Sequence, residues 1–363
     1  MEWKTVAVVI LVVSLCFLAI PIRVGPDRSS EDSKLFENYV ARYNKSYRNN
    51  PIEYSGRFKQ FQKSLRHIEK MNGLRSTQES AYYGLTQFSD MSEDEFMQHA
   101  LRPDLPERGR RHVGAIYHCE HRMRKERNHL EKRAVGILPK VDWRQKGVIS
   151  PVKSQGLCGA CWAFSTVGVA ESMFALKNGS LHLLSVQEMI DCARNSNLGC
   201  EGGDICSLLT WLKSTKSAIL PDTSYPLTRK TDTCKLKGAI AKAPGVRIAD
   251  FTCDSFVDAE DELLATLATH GPVAAAVNAL AWQNYLGGII QYHCDGAFTS
   301  LNHAVQIVGY DKSATIPYYI IKNSWGPAFG DKGYIYIAIG SNLCGEMNFS
   351  DLQYIYTLLR FAL

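Results

Sequence analysis

The chain has 363 residues, of which 45% are hydrophobic, and a formal net charge of +5. This length allows one large domain or two smaller ones, and the apolar fraction is that of a globular protein with a substantial core. The charge is uneven, because residues 138–363 carry 18 Lys or Arg against 19 Asp or Glu, whereas residues 1–137 carry 23 against 17. A nucleic-acid-binding face would have to lie in this basic N-terminal third, and nucleic acid is set aside as a partner.

The first 22 residues predict passage into the secretory route. One lysine precedes an apolar run from Thr5 to Ile22, a pattern typical of a signal peptide, with an uncleaved membrane anchor as the alternative. The eleven cysteines would then lie in an oxidising compartment, where cysteines tend to pair. Three Asn-x-Ser triplets fit glycosylation there, at Asn44, Asn178 and Asn348.

Residues 33–96 have a mainly helical pattern. A stripe of six residues at steps of three or four predicts one helix with a polar network on its packing face: Glu53, Arg57, Phe61, Ser64, Ile68 and Asn72. The alternation in YGLTQFSD, residues 83–90, predicts an extended strand. Ser92 with Glu95 three residues later predicts the capping box of a further helix.

Residues 102–137 are a dense basic run that includes four histidines, His112, His118, His121 and His129. A charge run of this kind predicts an exposed linker, which proteases cut easily. The letters HCEH around Cys119 do not have the spacing of a structural zinc site.

From Leu138 onward the composition is that of a globular domain. A buried helix is predicted to follow Cys161 and to end at a C-cap formed by Asn178 and Gly179. Three later segments have the pattern of strands, namely HAVQIVGYD, YYIIKNSWG and GYIYIAIGS. A helical half that meets a strand-rich half predicts an α+β fold with a cleft at the seam.

Two cysteines, Cys158 and Cys161, lie three residues apart in QGLCGACWAF. A metal-binding site at these two cysteines would need a second cysteine or histidine pair, and the chain has no second C-x-x-C. A redox pair would need a thioredoxin-like unit, and strands do not alternate with helices here. Cys161 instead begins a helix, whose unpaired amides and dipole stabilise a thiolate. The favoured interpretation of Cys161 is therefore a nucleophile.

A thiolate nucleophile needs a proton partner, and His303 lies 142 residues downstream of Cys161. Asn323 follows 20 residues after that histidine. A lone histidine at a strand start, a lone Asn before Ser, or a lone Gln155 would most often be structural. Their joint order of Cys, His and Asn at these separations is what indicates a cysteine protease.

Four motifs resemble papain-family cysteine proteases made as cathepsin proenzymes: QGLCGACWAFS, GCEGG, NHAV and KNSWG. The helix stripe resembles the family's propeptide signature E-x3-R-x3-F-x2-N-x3-I-x3-N, with Ser64 where Asn is usual. The segment GLTQFSD resembles its G-x-N-x-F-x-D, with Thr86 for Asn. The resemblance implies a papain-like two-subdomain fold, with a helical left half, a barrel-like right half and an active-site cleft between them. It also implies a signal peptide at 1–22, an inhibitory propeptide at 23–137 and a mature protease domain at 138–363.

The resemblance also assigns catalytic roles. Cys161 would attack the scissile carbonyl as a thiolate, paired before substrate arrives with an imidazolium on His303 that later protonates the leaving amine. Asn323 would orient the imidazole, and Trp325 would shield that hydrogen bond from water. The side-chain amide of Gln155 and the backbone N–H of Cys161 would stabilise the oxyanion.

Three disulfides are implied by the same resemblance: Cys158–Cys200, Cys192–Cys234 and Cys294–Cys344. Cys206 and Cys253 remain in the mature part. Their even number permits a fourth bridge, but spacing alone does not show that they lie within bonding reach.

Substrate contacts are also implied along the cleft, where glycines allow close backbone approach. The matching positions, most of them around the pocket for the side chain two residues before the cut, are Gly202, Gly203, Asp204, Ile205, Ala276, Leu301, Asn302, Trp325 and Phe349. No His-His insertion follows GCEGG, which favours an endopeptidase over a carboxydipeptidase. Phe329 stands where the family usually has Trp, and this difference is expected to change packing rather than chemistry.

The expected partners are protein or peptide substrates, the chain's own propeptide as inhibitor, and cystatin-type inhibitors, with no nucleic acid. A monomer in the lysosome or secreted is expected, with no cofactor and no metal. Acid is expected to release the propeptide through carboxylates such as Asp90 and through the linker histidines. Two alternatives stay open: a catalytically silent binding or inhibitory protein on this fold, and an acyltransferase that uses the same Cys–His pair.

Overall fold

The structure is a computed structural model that describes residues 28–101, 137–236, 245–255, 260–291, 301–340 and 353–355. Several predicted features lie outside these residues: the signal peptide, nearly all of the basic linker, the Cys294–Cys344 bridge, Asn348 and Phe349. Within the described ranges, no helix combines the length and apolar content needed to cross a membrane. The chain divides into two compact units, Met1–Gln62 and Lys63–Leu363.

The first unit contains helix α1 (Arg28–Arg42) and most of helix α2 (Pro51–Gly73). Its core is aromatic, since the ring of Phe36 lies 5.0 Å from that of Phe61 and 5.3 Å from that of Phe58. The predicted stripe helix is confirmed, because α2 carries all six stripe residues. Two of them, Glu53 and Arg57, form an ion pair of 3.7 Å one turn apart.

The second unit begins with the last turns of α2, which are joined to a short strand. The amide of Asn72 donates to the carbonyl of Tyr83 at 2.8 Å and accepts from its N–H at 2.9 Å. Tyr83 belongs to strand β1 (Tyr82–Tyr83), which pairs with β7 (Tyr285–Gly287). The polar end of the predicted stripe therefore fixes the start of the next segment.

The predicted strand over residues 83–90 is wrong beyond Tyr83. The chain turns instead, with the N–H of Ser89 donating to the carbonyl of Thr86 at 3.2 Å. The N–H of Thr86 in turn donates to the hydroxyl of Ser89 at 2.8 Å. Short hydroxyl side chains form local hydrogen bonds with the backbone that compete with the hydrogen bonds of strand pairing. Here these local bonds stabilise a turn instead of a strand.

Helix α3 (Glu93–Ala100) follows, and its predicted capping box is confirmed. The N–H of Glu95 donates to the hydroxyl of Ser92 at 3.2 Å, and the N–H of Ser92 donates to the Glu95 carboxylate at 2.9 Å. Two N-terminal amide groups are thereby satisfied.

Three helices form the helical half: α4 (Cys161–Asn178), α5 (Val186–Cys192) and α6 (Ile205–Thr215). Most of α4 is buried, and it ends as predicted at Gly179, whose φ of +75° is a left-handed C-cap conformation. Short strands β3 (Ala218–Ile219) and β4 (Val246–Arg247) pair beside these helices. The disulfides Cys158–Cys200, Cys192–Cys234 and Cys206–Cys253 hold the surrounding loops.

The strand-rich half is one mixed sheet packed against helix α7 (Glu260–Thr269). Its strands are β2 (Lys140–Asp142), β5 (Asp254–Ser255), β6 (Val273–Val277), β8 (Ile289–Ile290), β9 (His303–Asp311), β10 (Tyr318–Lys322), β11 (Tyr334–Ala338) and β12 (Gln353–Ile355). Their order is β5-β12-β6-β9-β10-β11-β8, with β2 also paired to β9. The three strands predicted from the sequence are β9, β10 and β11.

Two hydrophobic clusters fill the second unit, one behind the sheet and one around helix α4. The α4 cluster also contains Ala274 of β6 and Ala304 of β9, so helix and sheet share a seam. Strand β9 is buried along its whole length because α4 covers one of its faces and the cluster behind the sheet covers the other. The expected α+β arrangement is therefore present, and its seam lies where Cys161 and His303 begin their elements.

Candidate active site

Cys161 is the first residue of helix α4 and is fully buried. Its thiol is not part of a disulfide. Residue Ala160 at the N-cap has no side-chain acceptor, so the first-turn amides are not capped by that side chain. The preceding loop is fixed by the Cys158–Cys200 bridge and by a hydrogen bond of 2.8 Å from Gly159 N–H to the Cys200 carbonyl.

His303 and Asn323 are brought together by neighbouring strands. His303 begins β9, Asn323 follows the last residue of β10, and the two strands pair antiparallel. The His303 Nε2 atom lies 2.8 Å from Asn323 Oδ1, and that oxygen also accepts the Ser324 N–H at 2.8 Å. Because an amide oxygen can only accept, Nε2 carries a hydrogen, and Nδ1 of a neutral ring is left as an acceptor. Cys161 and Ala304, the neighbour of His303, lie in the same hydrophobic cluster.

Burial lowers the pKa of His303 from 6.5 to about 4, although its hydrogen bond to Asn323 acts in the opposite direction. Two indole rings enclose the imidazole: Trp325 stacks on it at 4.8 Å and Trp282 meets it edge-on at 6.1 Å. The ring is therefore neutral above about pH 4 in this state. The ion pair between this ring and a Cys161 thiolate stays a prediction.

Gln155 is fully buried and is joined to the same group. Its Oε1 accepts the Ser324 hydroxyl at 2.5 Å, and its backbone N–H donates to the Ser324 carbonyl at 2.8 Å. Its Nε2 donates to the carbonyls of Cys158 at 2.9 Å and Ala100 at 3.1 Å. The amide predicted to bind an oxyanion thus binds a backbone carbonyl of the N-terminal region.

Residues 84–101, called the covering segment below, lie on Trp325. The rings of Phe88 and Phe96 meet the indole edge-on at 5.3 Å and 5.4 Å. The indole N–H donates to the Ala100 carbonyl at 3.3 Å. Phe329, the residue that departs from the family pattern, packs into the same group, with its ring 4.7 Å from the indole and 6.0 Å from Phe88.

Four predicted substrate positions follow Cys200 in one run. Gly203 lies against the Trp162 ring, where a Cβ atom would come within 2.5 Å. Gly202 has a φ of +119°, which L side chains rarely adopt. Asp204 is the N-cap of α6 and accepts the Ser207 N–H at 2.7 Å, while Ile205 is buried in the α4 cluster.

The other predicted positions lie on the sheet. Ala276 is a half-buried residue of β6 that pairs with Ala304. Leu301 is half-buried just before β9. Asn302 is buried, and its side chain is used internally, because its Oδ1 accepts the Ala279 N–H at 2.8 Å.

One buried polar group at the seam is not foreseen by the sequence patterns. Lys322 Nζ donates to the Ser150 hydroxyl at 2.8 Å, and that hydroxyl donates to the Glu171 carboxylate. Burial lowers the pKa of Lys322 to about 8, and the Glu171 charge acts against that shift. The only available signal was a lysine in the buried strand YYIIK, since the three residues are far apart in sequence. The sequence patterns do not predict the roles of Ser324 and the Ala100 carbonyl either. Every residue has a backbone carbonyl, so the residue type at position 100 does not indicate this contact.

Two predicted glycosylation sites, Asn44 and Asn178, are exposed. The Asn178 side-chain nitrogen donates to the Phe174 carbonyl at 2.9 Å. Both positions are therefore open to solvent.

Comparison with known proteins supports the resemblance. The papain family cysteine protease profile matches residues 137–353, and the cathepsin propeptide inhibitor domain matches residues 36–96. Cathepsin O from Homo sapiens is 38% identical over 286 residues, which are 78% of this chain and 84% of that protein. Cathepsin O from Mus musculus is 36% identical over 78% of this chain and 85% of its own length. The segments SVQEMIDC, TWLK and AWQNYLGGIIQYHC already resemble that subfamily.

Among solved structures, the recombinant stem bromelain precursor aligns with a TM-score of 0.71 at 27% identity. The alignment covers 91% of this chain and 99% of that one. With the profile spanning more than half of the residues, the chain belongs to the papain family of cysteine proteases and is a cysteine-type endopeptidase made with a cathepsin propeptide.

Proposed function

We propose that Cys161 is the nucleophile, His303 the general base and acid, Asn323 the residue that orients the imidazole, and Gln155 an oxyanion donor. One observation carries this assignment. A continuous chain of hydrogen bonds runs from His303 through Asn323 and Ser324 to Gln155, at the seam where Cys161 begins α4.

In the proposed reaction His303 Nδ1 takes the Cys161 proton, and the thiolate attacks the peptide carbonyl. The carbonyl oxygen becomes an oxyanion that accepts from the Gln155 side-chain amide and the Cys161 N–H. His303 then gives its proton to the leaving amine, which leaves a thioester on Cys161. Water, deprotonated by the same histidine, hydrolyses the thioester and frees the enzyme. Asn323 keeps the ring in the tautomer that this exchange requires.

The covering segment supports the proposal that this chain is made inactive. Its Ala100 carbonyl accepts from the Gln155 amide and from the Trp325 indole. The covering segment therefore occupies the Gln155 side-chain amide, which is the donor that an oxyanion would need. Removal of this segment would free Gln155 and uncover the His303 ring, whose pKa then returns toward its ordinary value.

We further propose that the mature enzyme acts in the lysosome or after secretion as a glycosylated monomer, sensitive to cystatin-type inhibitors. The exposed Asn178 of the mature part and the three disulfides support this compartment. Peptide substrates would lie along Gly202 and Gly203, with Ile205 and Ala276 lining the pocket for the side chain two residues before the cut.

The test is acid activation of the purified proenzyme. Wild-type protein is expected to shorten to the mature form, cleave an unfolded protein and lose activity when a thiol reagent alkylates Cys161. Cys161→Ala should do none of these. Ser165→Ala, one turn later in the same buried helix, is the matched control and should behave like wild type. A wild-type protein that behaves like Cys161→Ala would contradict the assignment, and peptide transfer to an added amine without hydrolysis would favour the acyltransferase.

A further inference from the structure

We propose that the Cys206–Cys253 disulfide fixes the distance between the two walls of the pocket for the side chain two residues before the cut, and so determines which side chains fit. The inference rests on the proposed function, because it concerns the substrate pocket of the same site. It starts from the two cysteines left over by the family's pairing pattern, which the structure joins.

The first wall lies on the helical half. Cys206 is the second residue of helix α6, directly after Gly203, Asp204 and Ile205. The inner side of this wall is held by packing and hydrogen bonds: Gly203 lies against Trp162, and the Asp204 N–H donates to Asn197 Oδ1 at 2.7 Å.

The second wall lies on the sheet. Cys253 immediately precedes strand β5, which pairs with β12, and β12 pairs with β6 at Ala274 and Ala275. The next residue of β6 is Ala276, a predicted pocket residue. Cys253 is thus attached through two strand pairings to the strand that carries Ala276.

The disulfide therefore connects the start of α6 covalently to the sheet edge, with the two Cα atoms 6.2 Å apart. Both cysteines are half-buried and pack on the cluster that contains Ile205 and Ala274, one residue from each wall. Noncovalent contacts hold the same segment as well: Phe251 packs on this cluster, and the Lys213–Asp250 ion pair of 2.7 Å is exposed. Without the disulfide, the outer end of the pocket would have no covalent bond across it and would be held by hydrophobic packing, this ion pair and backbone pairing.

A pocket of fixed width discriminates between side chains that differ by a methylene or a ring, and such discrimination is about tenfold or more. The disulfide joins the pocket walls and is not one of the proposed catalytic groups, so it acts by positioning. Its loss should widen the range of accepted side chains and change KM more than kcat. Peptides with glycine two residues before the cut do not use the pocket and should be cleaved as before.

The experiment compares full-length wild type with Cys206→Ser/Cys253→Ser, both activated by acid, on peptides with Gly, Val, Leu or Phe two residues before the cut. The expected result is a change of about tenfold in the ratio of kcat/KM between the best and worst of the three apolar residues, with the glycine peptide unchanged. Asp250→Asn, which removes the exposed ion pair on the same segment, is the matched control and should keep the wild-type ranking. If the serine pair does not fold, Cys206→Ala/Cys253→Val keeps the site apolar and takes its place.

Several results would overturn the inference. Non-reducing peptide mapping that fails to join the Cys206 and Cys253 peptides removes its basis. An active double variant with the wild-type ranking shows that the disulfide does not set the pocket. A wild-type enzyme that cleaves none of the peptides contradicts the proposed function itself, which keeps the two failures distinguishable.

Discussion

Ser324 joins two residues that the sequence treats as separate. Its backbone N–H donates to Asn323, which holds His303, and its hydroxyl donates to Gln155. The proposed general base and the proposed oxyanion donor are thereby connected through one residue. Ser324 itself is neither a nucleophile nor a base, so its residue type does not indicate this role.

Ser324→Ala should lower kcat/KM by up to about tenfold without unfolding the enzyme, because a neutral hydrogen bond contributes about 0.5–1.5 kcal/mol. The backbone bond from Gln155 to the Ser324 carbonyl remains, so the loop stays attached. Steady-state kinetics of the activated enzyme measure the effect.

The control for this prediction is Gln155→Ala, for which a loss of about 100-fold or more in kcat is expected of an oxyanion donor. Adding Ser324→Ala to that variant should cost little more, since the hydroxyl would act through the lost amide. Fully additive effects would contradict a positioning role for Ser324.

His303 should titrate differently with and without the covering segment. Burial lowers its pKa to about 4 in the proenzyme. When a trace of active enzyme removes the propeptide from Cys161→Ala protein, the pKa should rise toward 6.5, because the ring regains contact with water. NMR of labelled histidine, with His303→Ala to assign the signal, follows both midpoints. Equal midpoints in the two forms would show that the covering segment does not control the charge of this ring.

At the scale of secondary-structure elements, helix α3 stabilises the covering segment. It places Phe96 on Trp325 and ends at Ala100, whose carbonyl accepts from Gln155 and Trp325. A helix of eight residues is too short to be stable by itself in water, so its cap and its packing maintain it.

Ser92→Ala should speed acid activation and raise the pH at which it begins. Loss of an N-cap hydroxyl costs about 1 kcal/mol, which corresponds to a roughly fivefold larger population of the open segment. The time course of proenzyme shortening measures this effect. Gln98→Ala, an exposed change in the same helix that keeps the cap, is the control and should not accelerate activation. An unchanged rate in Ser92→Ala would show that release begins elsewhere.

How well the sequence predicts a feature depends on how far apart in the chain the interacting residues are. The capping box at Ser92, the C-cap at Gly179 and the strand from His303 are set by local chemistry, and the sequence predicts them correctly. The strand predicted beyond Tyr83 fails because local hydroxyl hydrogen bonds favour a turn. The Lys322–Ser150–Glu171 group joins residues from distant segments, so no local sequence pattern predicts it. Sequence patterns also do not predict that the backbone carbonyl of Ala100 closes the site.

For the whole molecule, two buried groups give stability opposite dependences on pH. Burial raises the pKa of Glu188 from 4.5 to about 7, so its carboxyl is held neutral in the fold and stability falls as pH rises from about 4.5 to 7. Burial lowers the pKa of His303 from 6.5 to about 4, so stability falls as pH drops through that window. Lys322, whose pKa is lowered from 10.5 to about 8, contributes a dependence only at higher pH.

The pKa of each of the two groups is shifted by roughly 2.5, which corresponds to about 3 kcal/mol of unfolding free energy at most. Because the two contributions have opposite signs, they nearly cancel between pH 4.5 and 6.5. In a Cys161→Ala proenzyme, Glu188→Gln should therefore make Tm rise with pH across this window relative to its parent, and His303→Ala should make it fall. Scanning calorimetry at several pH values measures the differences between each variant and its parent, which removes the contributions of all other titrating groups. Parallel Tm profiles for the three proteins would contradict both assignments. Opposite slopes would show that burial acts on both groups in the folded proenzyme, with Glu188 favouring the fold at acid pH and His303 favouring it at neutral pH.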